Sequence, residues 1–201
     1  MTAKTVEKQK LAVLAAAAVF AEKGYHGAST TDIANRLGIK QGSLYHYFRS
    51  KEHALEAVCL FGIRDYVSRM EAIAVSEQPF EARLVAAITA HLSSYREKNE
   101  ALKVHNDERL YLPVEKRSEL KQLGSRYRQL LESMFQEGRE RGALRPSVDP
   151  HFAAQAVIGL CNAWGELIVR DDEMDVLDVA NRCVDLLLNG MTERRTAERE
   201  F

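Results

Sequence analysis

The chain has 201 residues, 46% of them hydrophobic, 28% charged and only four proline, with a net charge of −1. That mixture can bury a sizeable core and excludes disorder as a description of most of the chain, while no apolar run approaches the roughly 18 residues of a membrane span. The charge is uneven: residues 1–60 hold eight Lys/Arg against five Asp/Glu and the remainder twenty against twenty-four, the kind of N-terminal excess a phosphate-binding module needs.

Alternating β-branched runs are missing, and apolar residues recur at three- and four-residue steps throughout, so the fold class is all-α with about nine helices. A first helix from about Val6 to Lys23 carries Val13, Ala16, Ala17 and Phe20 as one stripe, and Gly24 supplies its stop. Ser29 or Thr30 opens a short second helix with Ile33, Ala34 and Leu37 inward, ended by Gly38. A third begins at Gln41 or Gly42 and presents Leu44, Tyr45, Tyr47 and Phe48. Ser50 caps a fourth, which runs from Lys51 to about Val75 and links two regions. Pro79 breaks the chain before a fifth helix from Phe80 to about Lys98, and a sixth runs from about Ala101 to Leu110. Pro113 opens the seventh, closed by Gly142. Asp149 and Pro150 form the cap and first position of an eighth that reaches about Val169, and a ninth spans about Asp175 to Asn189. The implied organisation is an N-terminal domain over 1–50, a larger helical domain over 51–191, and a charged tail over 192–201.

The apolar stretch Leu11 to Phe20 passes straight into Glu22 and Lys23, so no targeting signal is read there. Cys59, Cys161 and Cys183 are an odd set with no C-x-x-C pair, each inside an apolar helical pattern. They are expected to be reduced core thiols of a cytoplasmic protein, with no membrane partner.

Residues 30–49 fit a helix-turn-helix position by position. Ala34 is small where two helices cross, Gly38 sits where a positive φ is cheap only for glycine, and Ile33, Leu37, Ile39, Leu44 and Tyr47 occupy inward positions. Gln41, Gly42, Ser43, Tyr45 and His46 are left outward on the second helix, where they offer hydrogen-bonding groups to base edges and phosphates. Any small helical hairpin needs a glycine turn and inward apolar residues, so the polar outer face carries the functional part of this reading.

The stretch Phe20, Gly24-Tyr25, Ser29-Thr30, Ile33-Ala34, Leu37-Gly38-Ile39, Gly42 to Phe48, Lys51 and Leu55 resembles the N-terminal signature of the TetR family of bacterial repressors over about forty residues. The resemblance implies a three-helix DNA-binding domain on a divergent helical core that dimerises through its last two long helices, with repression as the family default. By position it implies that Thr30, Tyr47 and Lys51 meet phosphates of a palindromic duplex and that Gln41, Gly42, Ser43, Tyr45 and His46 lie in or near the groove. Lys40 stands where the family usually has Ser or Thr, which weakens the cap of the recognition helix or adds a phosphate contact.

Two recognition helices about one duplex turn apart require a two-fold homodimer. The expected seam is Val157, Leu160, Cys161, Trp164 and Leu167 on the eighth helix with Ala180, Cys183, Val184, Leu187 and Leu188 on the ninth. An effector pocket belongs among helices four to eight, where apolar walls are interrupted by Tyr66, His91, Tyr95, Asn106, Glu108, Arg109, Tyr111, Tyr127 and Asn162. The segment Asp107 to Pro113 and the helix after it resemble, more faintly, TetR-family regulators of fatty-acid and related acyl-CoA breakdown, in which Arg109 or Arg126 would meet an anionic group. An aromatic or drug-like effector is the alternative.

Two other classes compete. An enzyme lacks its signatures: the six histidines show no H-E-x-x-H or other ligand spacing, and neither a Gly-rich phosphate loop nor a G-x-S-x-G elbow occurs, so no cofactor or metal is implied. His105 and Glu108, one turn apart, read as a solvated or locally bonded pair. A purely structural helical adaptor explains the core but not the polar face Gln41 to His46.

Overall fold

The computed structural model describes residues 2–191, so the charged tail expected over 192–201 lies outside the described residues. The described chain is helical: α1 (Ala3–Gly27), α2 (Thr30–Leu37), α3 (Gln41–Leu44), α4 (Lys51–Ala74), α5 (Phe80–Glu108), α6 (Ser118–Glu140), α7 (Pro150–Arg170) and α8 (Val176–Asn189). Two short 3-10 turns, Arg109–Tyr111 and Val114–Arg117, join α5 to α6. The fifth and sixth helices of the sequence reading are therefore one helix. Lys98 breaks its geometry (φ −139°, ψ 31°) without ending it, because the Lys98 ammonium donates to the Phe61 carbonyl at 3.0 Å and pairs with Asp65 at 2.5 Å, which fastens the kink onto α4. Pro113 opens a 3-10 turn first, and α6 begins at Ser118.

Local chemistry sets the boundaries near the N-terminus. The Ser29 hydroxyl accepts from the Asp32 amide at 3.1 Å while the Asp32 carboxylate accepts from the Ser29 amide at 2.9 Å, a reciprocal cap worth about 1 kcal/mol. Lys23, 2.6 Å away, and the Ser29 bonds hold the Asp32 carboxyl down at about 2. Gly24 adopts φ 68° and ends the straight part of α1, after which the chain makes one further turn to Gly27.

Burial falls into two clusters. One joins α1 to α4 with the distal half of α5, through Phe20, Ile33, Leu44, Phe48, Leu55 and Leu102, and reaches Leu112 and Leu120. The other holds Phe80, Leu84, Ile88, Leu131 and Phe135 together with the inner faces of α7 and α8. Tyr66 on α4 touches both. Cys59, Cys161 and Cys183 are buried free thiols; burial pushes Cys59 up to about 12 and raises the other two.

The seam expected between copies needs correction. Val157, Cys161, Ala180, Cys183 and Val184 are covered by their own chain, at most 4% exposed, and are not available to a second copy. Leu160, Trp164, Leu187 and Leu188 are half-buried, and Leu167 is exposed. Periodicity identified apolar helices but not which of their apolar residues turn inward onto the chain's own core. By length and composition α7 reaches what a membrane span needs, with a mean hydropathy of 1.4 over its best window, contrary to the reading that no such run exists. Only 28% of that window is buried in the single chain, and Phe152 and Leu167 stand in the open at 75% and 43%. Gln155, Asn162 and Glu166 keep one side of the helix polar, and the open apolar residues elsewhere on it gain stability from cover.

Candidate nucleic-acid interface and effector cavity

At the N-terminal end, Gly38 takes the left-handed conformation (φ 69°, ψ 30°) that turns the chain from α2 into α3 and lets the Ile39 amide reach the Ala34 carbonyl at 3.0 Å. Ile33, Leu44 and Phe48 fill the space beneath; Phe48, read as presented, is buried, and Leu37, Ile39 and Tyr47 are half-buried. Lys40 precedes α3 in an extended conformation and its side chain makes no capping bond. With no cap and with Gly42 at its second position, α3 extends one turn, followed by a turn through Tyr45, His46 and Tyr47. The outcome is a compact polar surface. Lys40, Gln41, Gly42, Tyr45 and His46 are exposed, and Thr30, Ser43, Tyr47 and Lys51 are half-buried around them.

Two of these groups already have partners. Gln41 Nε2 donates to Thr30 Oγ1 at 3.3 Å, which ties the start of α3 to the start of α2. The Lys51 ammonium donates to the Tyr25 and Ala28 carbonyls at 2.8 and 2.9 Å and sits 4.5 Å from the Tyr25 ring centre, so it caps the kinked end of α1. Tyr25 in turn donates to Glu52 at 3.0 Å; burial and that carboxylate push its hydroxyl up to about 12.

Behind this surface lies a cavity of about 760 Å³ walled by α4, α5, the two 3-10 turns, α6 and α7. Seven of the ten residues predicted for an effector line it: Tyr66, His91, Tyr95, Asn106, Arg109, Tyr127 and Asn162. Three do not. Arg126 faces outward and pairs with Glu71 at 3.0 Å, and the Glu108 carboxylate lies against Gly24 of α1. Tyr111 stacks on Tyr25 at 5.8 Å between ring centres and meets His26 edge-on at 4.5 Å. The last two are therefore joints between the body and the N-terminal helices rather than pocket residues.

The inner wall is an ordered polar network. Asn162 Oδ1 accepts from the Tyr95 hydroxyl at 3.1 Å and from His91 Nε2 at 3.3 Å, which leaves His91 Nδ1 to accept from the Tyr127 hydroxyl at 2.9 Å. Burial lowers His91 to about 4, so the ring is neutral. His105 is likewise brought to about 4, by burial first and Arg109 second; it is a cavity-wall residue and not the solvated partner of Glu108 that the sequence suggested. Gly165 is required here: a Cβ on it would overlap the Tyr95 ring.

The lining also carries cations. Arg109, Arg117, Lys121 and Arg128 face the cavity, and no carboxylate is among its lining residues. Arg128 is shared with Glu132 at 3.6 Å, whereas Arg117 and Lys121 form no ion pair among the described residues. The Arg117 Nε and His105 Nδ1 atoms are buried without a partner. Arg117, Lys121 and Arg128 escaped the sequence reading although their spacing puts them on one side of α6 and its lead-in. Such a stripe ordinarily marks a solvated face.

A helix-turn-helix head on a helical body with a pocket between its helices defines a ligand-responsive DNA-binding regulator, and comparison with known proteins gives the family. Residues 13–58 match the bacterial regulatory proteins of the tetR family, and residues 77–191 match the tetracyclin repressor-like C-terminal domain. The chain belongs to the TetR family and is a transcriptional regulator, not an enzyme. It is 30% identical over 181 residues to the HTH-type transcriptional repressor KstR2 of Rhodococcus jostii, covering 88% of this chain and 87% of that one. The TetR family regulator PfmR from Thermus thermophilus has the same fold, with a TM-score of 0.84 at 28% identity over 90% of this chain and 99% of that one. The fold also matches that of FadR from Bacillus subtilis in complex with stearoyl-CoA, with a TM-score of 0.75 at 24% identity over 91% and 99% of the two chains.

Proposed function

We propose that the protein is a cytoplasmic homodimeric repressor that holds a palindromic operator and is released by an acyl-CoA. The observation that carries the effector is the cavity's mixed lining: Arg117 and Lys121, which form no ion pair among the described residues, together with Arg109, and beside them apolar residues such as Ile63, Leu102, Leu120 and Ile158. Phosphates suit the first, as cations left without carboxylates attract them, and an acyl group suits the second. The acyl-CoA-bound fold relative supports the same assignment.

In this reading residues 1–50 read DNA and residues 51–191 bind effector and dimerise. Gln41, Gly42, Ser43, Tyr45 and His46 address the groove; Thr30, Lys40, Tyr47 and Lys51 address the backbone, Lys51 with the one donor its two carbonyl partners leave free. The open faces of α7 and α8, with Phe152, Leu167 and Leu177 in place of the covered seam residues, supply the dimer contact. Release follows from shared parts. The 3-10 turn that brings Arg109 and Leu110 to the cavity also carries Tyr111 onto Tyr25 and His26, and α4, the other link, begins at Lys51 under the reading head. An effector that prefers a displaced turn and a tilted α4 moves the heads off their spacing; converting mostly bound to mostly free needs a preference on the order of 5 kcal/mol.

The test is selection of retained duplexes from a random pool by the full chain, followed by anisotropy on the selected duplex with added acyl-CoAs. A palindrome with half-sites about one turn apart, released by a CoA thioester, is the expected result. Arg117→Ala with Lys121→Ala is expected to raise the thioester concentration needed for release about tenfold or more. Salt-labile, sequence-blind retention, or release indifferent to every thioester, defeats the proposal.

A further inference from the structure

Building on the DNA-binding reading, we infer that the first turns of α1 are a second nucleic-acid contact, in which Lys4, Lys8 and Lys10 hold backbone phosphates beside the half-site that α3 reads. Ala12 is the first buried residue of α1, so the helix starts well outside the core. From Ala3 to Leu11 every residue is exposed except the half-buried Gln9. The first turn has no acid and no side-chain cap, and Lys4 stands in it at the positive end of the helix dipole, where a cation is unfavourable. A helical overhang that buries almost nothing and opposes its own dipole gains most from an anion brought to it from outside.

The distribution of cations singles out the same place. Of the eight Lys and Arg in residues 1–60, Lys23 and Arg36 are paired with Asp32 and Glu22 at 2.6 and 3.3 Å, and Lys51 is committed to two carbonyls. The other five form no ion pair among the described residues and fall into two exposed groups. Lys40 and Arg49 bracket α3 and the turn after it; Lys4, Lys8 and Lys10 occupy the overhang, whose one carboxylate, Glu7, is also without an ion pair among the described residues. The two ion pairs tie α2 across the C-terminal part of α1, and α1 is unbroken as far as Gly24, so overhang and reading head move as one body. At about 1.5 Å per residue, Lys4 stands about 28 Å along α1 from Lys23, a length that suits flanking backbone within one duplex turn of roughly 34 Å. Lysine is a point charge on a flexible stem. Its contribution there is affinity and salt dependence, not sequence.

Anisotropy of the full-length protein on its selected duplex, over a salt series, tests this with Lys4→Ala, Lys8→Ala and Lys10→Ala combined. Alanine keeps the helix, and none of the three side chains reaches the core. The triple variant is expected to bind about tenfold or more weaker at low salt, with a slope of log affinity on log salt shallower by about two or more. Its ranking of single-base operator variants is expected to match the wild type's. Trimming the duplex to its two half-sites is expected to weaken the wild type and leave the triple variant nearly unaffected, whereas Lys4→Arg, Lys8→Arg and Lys10→Arg combined keeps wild-type affinity. Equal affinity and salt slope in wild type and triple alanine variant overturn the inference, as does a loss of the same size on full and trimmed duplexes; the DNA-binding reading survives both. Failure of the wild type to retain any duplex removes the two together.

Discussion

The two working ends of this molecule treat their polar groups in opposite ways. The reading head spends its apolar residues underneath, on Ile33, Leu44 and Phe48, and sets Lys40, Tyr45 and His46 in solvent, where bonds to water can be exchanged for bonds to a duplex. The cavity buries His91 and closes most of its bonds internally, yet leaves Tyr66 Oη, His105 Nδ1 and Arg117 Nε unsatisfied. A surface that must scan many sequences gains from cheap exchange. A pocket that must hold one shape gains from bonds closed in advance.

The sharpest way to break the contrast is to ask whether the ends are separate at all. Phe48→Ala empties a fully buried ring site and is expected to cost about 3–5 kcal/mol. Its core cluster continues into α5, Leu112 and Leu120, so thermal unfolding is expected to stay a single transition at lower temperature. Two resolved transitions, with only the first displaced, would instead divide the chain near residue 50.

A smaller effect separates the ends by pH. The folded His91 ring loses its proton near 4 rather than at the usual 6.5, so between those values the unfolded chain holds more protons. Stability is therefore complete above about pH 6.5 and falls as pH drops, by about 2 kcal/mol at pH 5 for this group. His105 adds a slope of the same sign. Urea midpoints at pH 7 and pH 5 are expected to differ clearly in the wild type and by about half as much in His91→Gln. An equal difference in both would place the proton uptake elsewhere.

The smallest effect concerns the joint. Tyr111→Ala leaves the cavity lining and the polar residues of α3 in place and removes a stacked pair worth about 0.5–1.5 kcal/mol. The ratio of operator affinities without and with effector is expected to shrink two- to tenfold while effector affinity alone stays put. An unaltered ratio would assign the transmission to α4.

Much of this was readable from residues, for reasons that differ along the chain. The head was legible because Gly38, Ala34 and the outward polar set each answer a local steric demand. The kink in α5 was read as two helices, because Lys98 and Asn99 resemble a stop and the bonds to Phe61 and Asp65 that carry the helix through come from residues more than thirty positions away. Seven pocket residues were found as polar interruptions of apolar walls. Glu108 and Tyr111 met the same criterion but face α1, a distinction set by the rotation of one turn. Half of the seam was misplaced because the pattern marks the apolar residues of α7 and α8 without saying which of them their own chain covers: Val157 and Cys161 on α7 and Ala180, Cys183 and Val184 on α8 pack inward.

The three buried thiols make the molecule its own stopwatch. A sulfhydryl reacts as the thiolate, and Cys59, held at about 12, offers almost none at neutral pH, with Cys161 and Cys183 also displaced upward. Alkylation of any of them then proceeds at the rate at which its neighbourhood comes apart. Cys59 reports on the junction beneath the reading head, Cys161 and Cys183 on the helix pair at the far end, and the ratio of their labelling rates, with and without ligand, timestamps which end of the regulator loosens first.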